Sequence, residues 1–215
     1  KVLYELVNLY ISDTLIEELD VSNNVKLSKV DCQKTNLKRL DISNNTNLTK
    51  LECGRTELES LDINNNSMLE YLDVYQTKIT EINVSNNTYL NTLSCGENKI
   101  ASLDVSNNKY LTFLHCGDTE IAKLDLSSNS RLSRLDCYNT KITELDLSNN
   151  LGLATLHCAG LKIKELNLSN NSRLVDLDCA DIKTLDKLDL RNNLFITRLI
   201  CSGTIIPCLE LSTKM

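Results

Sequence analysis

The sequence predicts a repeat solenoid built from short parallel β-strands with little or no α-helix. The first observation is a 21-residue segment that recurs along the chain. The second is an alternation of apolar and polar residues within each repeat, which is typical of a strand with one buried face. One such repeat cannot bury its apolar face alone, so neighbouring repeats must share a continuous core. The repeats begin at Leu19, Leu40, Leu61, Ile82, Leu103, Leu124, Leu145 and Leu166.

The repeat pattern extends over almost the whole chain. An extra residue falls between Asp181 and Asp186, after which the pattern returns at Leu188 and Leu209. We therefore expect residues 1–215 to form one domain of about ten turns. The chain opens at Lys1 without Met or a signal peptide, which favours an excised or mature part of a larger protein.

Each repeat has two halves, which carry a family resemblance. The first half reads L-D-V-S-N-N at 19–24, and the second reads L-x-x-L-x-C-x-x-T-x-L at 27–37. The second half resembles the leucine-rich repeat segment L-x-x-L-x-L-x-x-N/C-x-L. The nested register of the halves is similar to the short bacterial class found in surface proteins of Bacteroidetes. The resemblance covers roughly nine-tenths of the chain by the repeat criterion. It implies a right-handed horseshoe or ribbon whose concave strand face is the usual ligand surface, and it says little about activity.

The strand in each repeat is predicted at x-L-x-C-x, where Leu and Cys point inward. Ile11 and Val74 fill the cysteine position in two turns, and neither side chain can bind metal or form a disulfide. No C-x-x-C pair occurs, so we interpret the column as small buried thiols that act as hydrophobic groups. Only Cys208, which lies outside the column, is a candidate reactive or pairing thiol. The column contains Cys32, Cys53, Cys95, Cys116, Cys137, Cys158, Cys179 and Cys201.

Two further columns of polar residues are predicted to stabilise the bends between strands. An Asn amide at one bend and a Thr hydroxyl, as in Thr35, at the other can satisfy backbone groups that the turns leave unpaired. The N-x-S/T sequons then follow from the repeat and do not indicate glycosylation. The asparagines are Asn24, Asn45, Asn66, Asn87, Asn108, Asn129, Asn150, Asn171 and Asn193.

An acidic column follows the first leucine of each repeat and has two interpretations. Stacked carboxylates can recruit Ca²⁺, but calcium loops also supply glycines and several oxygen ligands, and this chain has only 6 Gly. We favour local hydrogen bonds from turn backbone to each Asp side chain. The column contains Asp20, Asp41, Asp62, Asn83, Asp104, Asp125, Asp146, Asn167 and Asp189.

Charge and hydropathy exclude several classes of partner. The formal net charge is -6, and no Lys/Arg run is present, which argues against nucleic acid or an anionic membrane as the main partner. No apolar run is long enough for a membrane span. We also predict no cofactor.

Recognition is predicted to depend on the variable residues beside the inward Leu and Cys, since the repeated positions are structural. Aromatic residues cluster on the middle turns, and Gly54, Gly96 and Gly117 are expected to leave hollows between them. Such anchors suit a protein interface, and flat rings over hollows suit sugar stacking. The alternative is a scatter of surface aromatics without function. The candidate ligand-binding residues are Tyr71, Asp73, Tyr75, Phe113, His115, Arg134, Asp136, Tyr138 and His157.

Two chemical sites on this face are alternatives that we consider weaker. Ser94, His115 and Asp136 occupy successive turns of one column, but parallel side chains on an open sheet offer no strained nucleophile turn or oxyanion hole. His115, Asp136 and His157 are a more reasonable metal-binding set, although the sequence shows no supporting second layer of hydrogen bonds.

The sequence therefore predicts a binding module without enzymatic activity. The resemblance implies a secreted or cell-surface bacterial protein that contacts a protein or a glycan through the concave strand face. A passive solenoid spacer in an adhesin is the competing interpretation. The last turn, 205–211, stays apolar, which predicts either flanking sequence or end-to-end self-association through an uncapped end.

Overall fold

A computed structural model describes residues 3–211 of the chain, and within this range it contains β-strands and turns but no helix. The predicted solenoid of about ten turns is confirmed. Its strands are two or three residues long, because the inward Leu and its two neighbours are the only extended part of each repeat. They are β1 (Asn8–Tyr10), β2 (Lys29–Asp31), β3 (Lys50–Glu52), β4 (Tyr71–Asp73), β5 (Thr92–Ser94), β6 (Phe113–His115), β7 (Arg134–Asp136), β8 (Thr155–His157), β9 (Asp176–Asp178), β10 (Leu188–Asp189), β11 (Arg198–Ile200) and β12 (Leu209–Glu210).

Ten of these strands form one parallel sheet with an unbroken register. Strands β1 to β9 pair in chain order, and β11 pairs with β9. Each residue lies opposite its equivalent in the next repeat, as Leu51 does with Leu72. Equivalent positions therefore form straight columns across the sheet. The remaining strands, β10 and β12, form a separate two-stranded parallel sheet from the first halves of the last turns.

The core is a single apolar cluster that runs from Val21 to Leu190. The column cysteines from Cys32 to Cys179 are buried in it, as the alternation predicts, whereas Cys208 is exposed. Burial raises the pKa of the Cys95 thiol to about 12, so this group is protonated and unreactive at neutral pH. The thiols therefore act as small apolar side chains.

The asparagine column forms a hydrogen-bonded ladder inside the molecule. The amide Nδ2 of Asn108 donates to the backbone oxygens of Val84, at 3.1 Å, and Asn87, at 2.9 Å, in the preceding turn. The same two bonds recur in every turn from Asn45 to Asn193. Each amide thus joins two neighbouring repeats at one bend, as expected.

The threonine column serves the opposite bend. Thr35 Oγ1 donates to the backbone oxygen of Cys32 at 2.8 Å, and Thr119 repeats this bond to Cys116 at 2.7 Å. Both hydroxyls are buried. The bond closes the turn immediately after the strand and satisfies a carbonyl group that the sheet leaves unpaired.

The acidic column makes the local hydrogen bonds that we favoured over calcium ligation. Asp41 Oδ1 accepts the backbone N–H of Ser43 at 3.0 Å, and the same turn recurs along the column. Hydrogen bonds from Ser43 lower the pKa of the Asp41 carboxyl. These carboxylates therefore stabilise the turn that follows the first leucine.

The turn after each strand of the main sheet contains one residue in the left-handed backbone region, directly before the threonine position. Gly160 and Gly203 occupy this position with φ of 71°. For residues other than Gly, Asn and Asp, this backbone conformation lowers stability by roughly 1–2 kcal/mol. Eight turns nevertheless carry a side chain at this position: Asp13, Lys34, Arg55, Gln76, Glu97, Asp118, Asn139 and Asp181.

Candidate functional site

The nine candidate residues lie on one face of the main sheet. Seven of them flank the inward leucine of a strand, and Tyr75 and Tyr138 follow their strands by two residues. Residue pairing in the sheet places Phe113 beside Arg134, and Asp136 beside His157. The strand register alone therefore brings the nine residues onto one face of the turns from β4 to β8.

An aromatic row crosses this face with the His115 ring at its centre. The His115 ring stacks on Tyr75 with the centroids 5.4 Å apart, and it lies 5.7 Å from the Tyr138 ring at a tilt of 30°. Its Nε2 is 3.2 Å from the Tyr138 hydroxyl, and its Nδ1 is 3.5 Å from Ser94 Oγ. Burial lowers the pKa of His115, so the ring is neutral at pH 7.

The expected hollows above the glycines are filled by side chains of the next turn. A methyl carbon added at Gly96 would lie 2.6 Å from His115 Nε2, and one added at Gly117 would lie 2.8 Å from Tyr138 Cζ. The Asp73 carboxylate likewise lies 3.2 Å from such a carbon at Gly54. The expectation of open hollows was wrong, because each glycine leaves room for the neighbouring side chain to pack against the backbone. These glycines position the aromatic row.

Cations cover one face of several aromatic rings. Lys50 Nζ lies 4.7 Å from the Tyr71 ring centroid, and Arg134 Cζ lies 5.3 Å from that of Phe113. Arg55 Cζ lies 5.6 Å from the Tyr75 ring. With the His115 ring on its other side, Tyr75 has both faces in contact with neighbours. Edges and hydroxyl groups are therefore the accessible parts of this row.

Tyr75 is further held by hydrogen bonds at both ends of the residue. Its hydroxyl donates to the Glu97 carboxylate, and this bond raises the pKa of Tyr75 to about 12. Its backbone N–H donates to Asp73 Oδ1 at 2.9 Å. Burial raises the pKa of the Asp73 carboxyl. Our sequence reasoning missed Glu97 and Arg55, because both occupy the left-handed turn position rather than a strand.

A charged row lies beside the aromatic row. Asp136 is only 4% exposed, and it accepts bonds from Arg134 Nε at 2.9 Å and lies 2.9 Å from His157 Nδ1. His157 Nε2 lies 3.4 Å from Asp176 Oδ2, and Asp176 also pairs with Arg198 Nη1 at 2.9 Å. Burial opposes ionisation of Asp176, but bonds from Arg198 and His157 outweigh it and lower its pKa. We did not predict Asp176 and Arg198, whose only sequence signal is that both lie in the variable column that contains Arg134.

The structure does not assemble the two chemical sites considered above. His115 Nδ1 is 3.5 Å from Ser94 Oγ, but Asp136 pairs with Arg134 and His157 instead of orienting His115. Of the metal-binding set, only Asp136 and His157 come together. Within residues 3–211, no group of three or more His, Cys, Asp or Glu side chains is placed to hold a metal ion. No helix in that range is long and apolar enough to cross a membrane.

Solved structures with a similar fold are leucine-rich repeat proteins. The functional domain of InlJ from Listeria monocytogenes, described as including a cysteine ladder, is 29% identical with a TM-score of 0.82, over 98% of this chain and 55% of that one. A leucine-rich repeat protein of Leptospira interrogans is 17% identical with a TM-score of 0.81, over 95% and 62% of the two chains. Internalin C2 from L. monocytogenes is 21% identical with a TM-score of 0.76, over 80% and 79%.

InlJ is described as including a cysteine ladder, and this chain has a column of buried cysteines from Cys32 to Cys179. The chain spans only a little over half the length of the first two of these structures. No protein-family profile and no curated protein matches the sequence. The fold is thus that of a leucine-rich repeat solenoid.

Proposed function

We propose that this chain is a binding module without catalytic activity, and that it recognises a protein partner through the strand face between Tyr71 and His157. The observation that carries the proposal is the fixed aromatic row of Tyr75, His115 and Tyr138. Tyrosine and arginine anchors supply most of the free energy in protein interfaces. Rings already held by their neighbours lose little conformational entropy when a partner binds.

The covered ring faces favour a protein over a glycan. A sugar ring stacks on an open aromatic face, whereas Tyr75 and Phe113 already contact cations or rings there. The filled hollows above Gly96 and Gly117 remove the second reason to expect a sugar. Partner residues can instead contact ring edges, the tyrosine hydroxyls and the Arg134 guanidinium.

We propose a secreted or cell-surface location on a bacterium, with the module as part of a longer protein. The similarity to InlJ and to other internalins supports this. End-to-end association of copies is a further prediction, since Ile205 is 70% exposed and Leu211 55% exposed on the last described turn. Light scattering of the purified chain tests it, and a monomer at all concentrations would contradict it.

A binding screen with matched variants tests the strand-face proposal. The purified chain is immobilised and exposed to a panel of host surface proteins and a panel of glycans. For any bound protein, we expect Tyr138→Ala and Arg134→Ala to weaken affinity by roughly tenfold or more, as for interface anchors. Tyr10→Ala is the control, because Tyr10 is exposed on the same face outside this region.

The results of the screen distinguish a protein-binding strand face from a glycan-binding face and from a passive spacer. Equal losses for the control and the test variants would contradict the proposed location. Retention of glycans alone, lost in the Tyr138 variant, would favour the glycan alternative. No retention of either class would favour a passive spacer.

A further inference from the structure

A second aromatic row lies outside the strand face, on the turns that lead into the strands. Tyr89 and Tyr110 occupy equivalent positions, each three residues before its strand. Their rings stack with the centroids 6.2 Å apart and the planes at 21°. Tyr89 is 54% exposed and Tyr110 is 45% exposed. Two stacked tyrosines are thus presented to solvent at one edge of the sheet.

The row continues into the turns on both sides. Arg131 occupies the same position one repeat later, and its Cζ lies 4.6 Å from the Tyr110 ring centroid. Met68 holds the position one repeat earlier and is exposed. We call these four residues, Met68, Tyr89, Tyr110 and Arg131, the edge ladder. Methionine, tyrosine and arginine are residue types enriched in protein interfaces.

The turn positions that carry the edge ladder have the opposite charge sign to the molecule as a whole. The ladder position and the residue before it contain no Asp or Glu in any of the nine repeats from 25–26 to 194–195, but they include Lys109, Arg131 and Arg173. Lys26, a fourth cation at these positions, pairs with Glu5, whereas Lys109, Arg131 and Arg173 form no ion pair with any residue in 3–211. The chain nevertheless carries a net charge of -6. This edge is therefore a local cationic surface whose charges are available to a partner.

The stacking favours a protein segment over a sugar here as well. The face of Tyr110 toward the next turn is covered by Arg131, and its other face is covered by Tyr89. Ring edges, hydroxyls, the Met68 thioether and the cations remain accessible. Such groups complement a chain that carries carboxylates and small apolar side chains.

We propose that the edge ladder is a second binding surface, which takes an acidic segment of a partner protein. It is separate from the strand face and does not depend on the function proposed for that face. The spacing of its residues matches one repeat per step, so an extended segment that runs along the solenoid can contact all four. Carboxylates of the segment would pair with Lys109 and Arg131, and apolar side chains would contact the tyrosine edges and Met68.

A model peptide tests this proposal without knowledge of the natural partner. The probe is a fluorescein-labelled, end-blocked peptide of sequence (Glu-Glu-Leu)4, titrated with the full chain by fluorescence anisotropy. We expect saturable binding that weakens with salt. The double variant Tyr89→Ala, Tyr110→Ala and the single variant Arg131→Gln should each weaken the affinity for the peptide by about threefold to tenfold.

Two controls separate specific docking from general charge attraction. Lys99→Gln removes an exposed cation away from the ladder, and Tyr10→Ala removes an exposed tyrosine from the strand face; neither should change the affinity. Equal effects of Lys99→Gln and Arg131→Gln would overturn the proposal, as would the absence of binding. Preferential binding of a heparin oligosaccharide through the same residues would also overturn it, in favour of an anionic glycan. Thermal unfolding confirms that the variants are folded.

Discussion

Gly96 is the position where one added methyl group should perturb the aromatic row most. In Gly96→Ala the new carbon would lie 2.6 Å from His115 Nε2, 2.7 Å from His115 Cε1 and 2.9 Å from the Gly117 backbone oxygen. The side chain of His115 must move, and this breaks its contacts with Tyr75 and Tyr138. Each aromatic contact contributes about 0.5–1.5 kcal/mol, and the hydrogen bond to Tyr138 contributes about 1 kcal/mol.

The expected net loss of unfolding free energy is about 1–3.5 kcal/mol, after a gain of about 0.4–1 kcal/mol from the stiffer unfolded chain. Urea unfolding followed by circular dichroism measures it. Gly152→Ala is the matched control, because its added carbon meets nothing closer than the Leu132 oxygen at 3.7 Å. We expect that variant to be neutral or slightly more stable.

A double-mutant cycle identifies the group that is displaced. In a His115→Ala background, Gly96→Ala should cost less, because the clash with the ring is gone and only the 2.9 Å approach to the Gly117 backbone oxygen must still be relieved. Equal costs in both backgrounds would refute the reasoning, since the ring would then have no part in the effect. A stability equal to that of Gly152→Ala would refute it as well.

Three other predictions follow from buried groups. Asn108→Ala should lower the unfolding free energy by about 1–3 kcal/mol in urea titrations, because it removes two buried hydrogen bonds to carbonyl groups that keep only their backbone N–H partners; a loss below about 0.5 kcal/mol would contradict the ladder. NMR titration should give His115 a pKa below 6.5. The stability that His115 contributes is therefore complete above about pH 6.5, where the unfolded imidazole is also neutral, and it is lost as the pH falls, because acid protonates the unfolded state first. His115→Gln should abolish this part of the pH dependence of the unfolding free energy. Under native conditions a thiol reagent should modify Cys208 rapidly and the buried column only upon unfolding, and fast modification of more than two thiols would contradict the burial.

The repeat columns could be predicted from the sequence because a strict period leaves little freedom in the backbone. Leucine, cysteine, asparagine and threonine at fixed spacing each have one structural role, as Asn108 and Thr119 illustrate. The nine candidate surface residues were placed on one face by the same reasoning. The acidic column also follows the local rule, since an Asp side chain reaches the backbone two residues ahead.

The contacts between variable side chains could not be predicted in the same way. Both His115 and His157 neighbour Asp136 in the column, and only their side-chain orientations decide that His157 pairs with it. The covering of Gly96 by His115 likewise depends on a rotamer. The edge ladder did have a sequence signal, because Tyr89 and Tyr110 are one repeat apart, but these turn positions lie outside the strand face on which the predicted site depends.

At the left-handed turn position, some residues that strain the backbone also make contacts on the binding surface. Glycine would adopt this backbone conformation without steric strain, yet Arg55 and Glu97 occupy the position, and both contact Tyr75. A glycine at either position should therefore relieve the backbone while releasing the tyrosine. The turn that closes each repeat also provides a place where the surface can change without altering the core, which makes these eight positions a natural starting point for redesigning what the solenoid recognises.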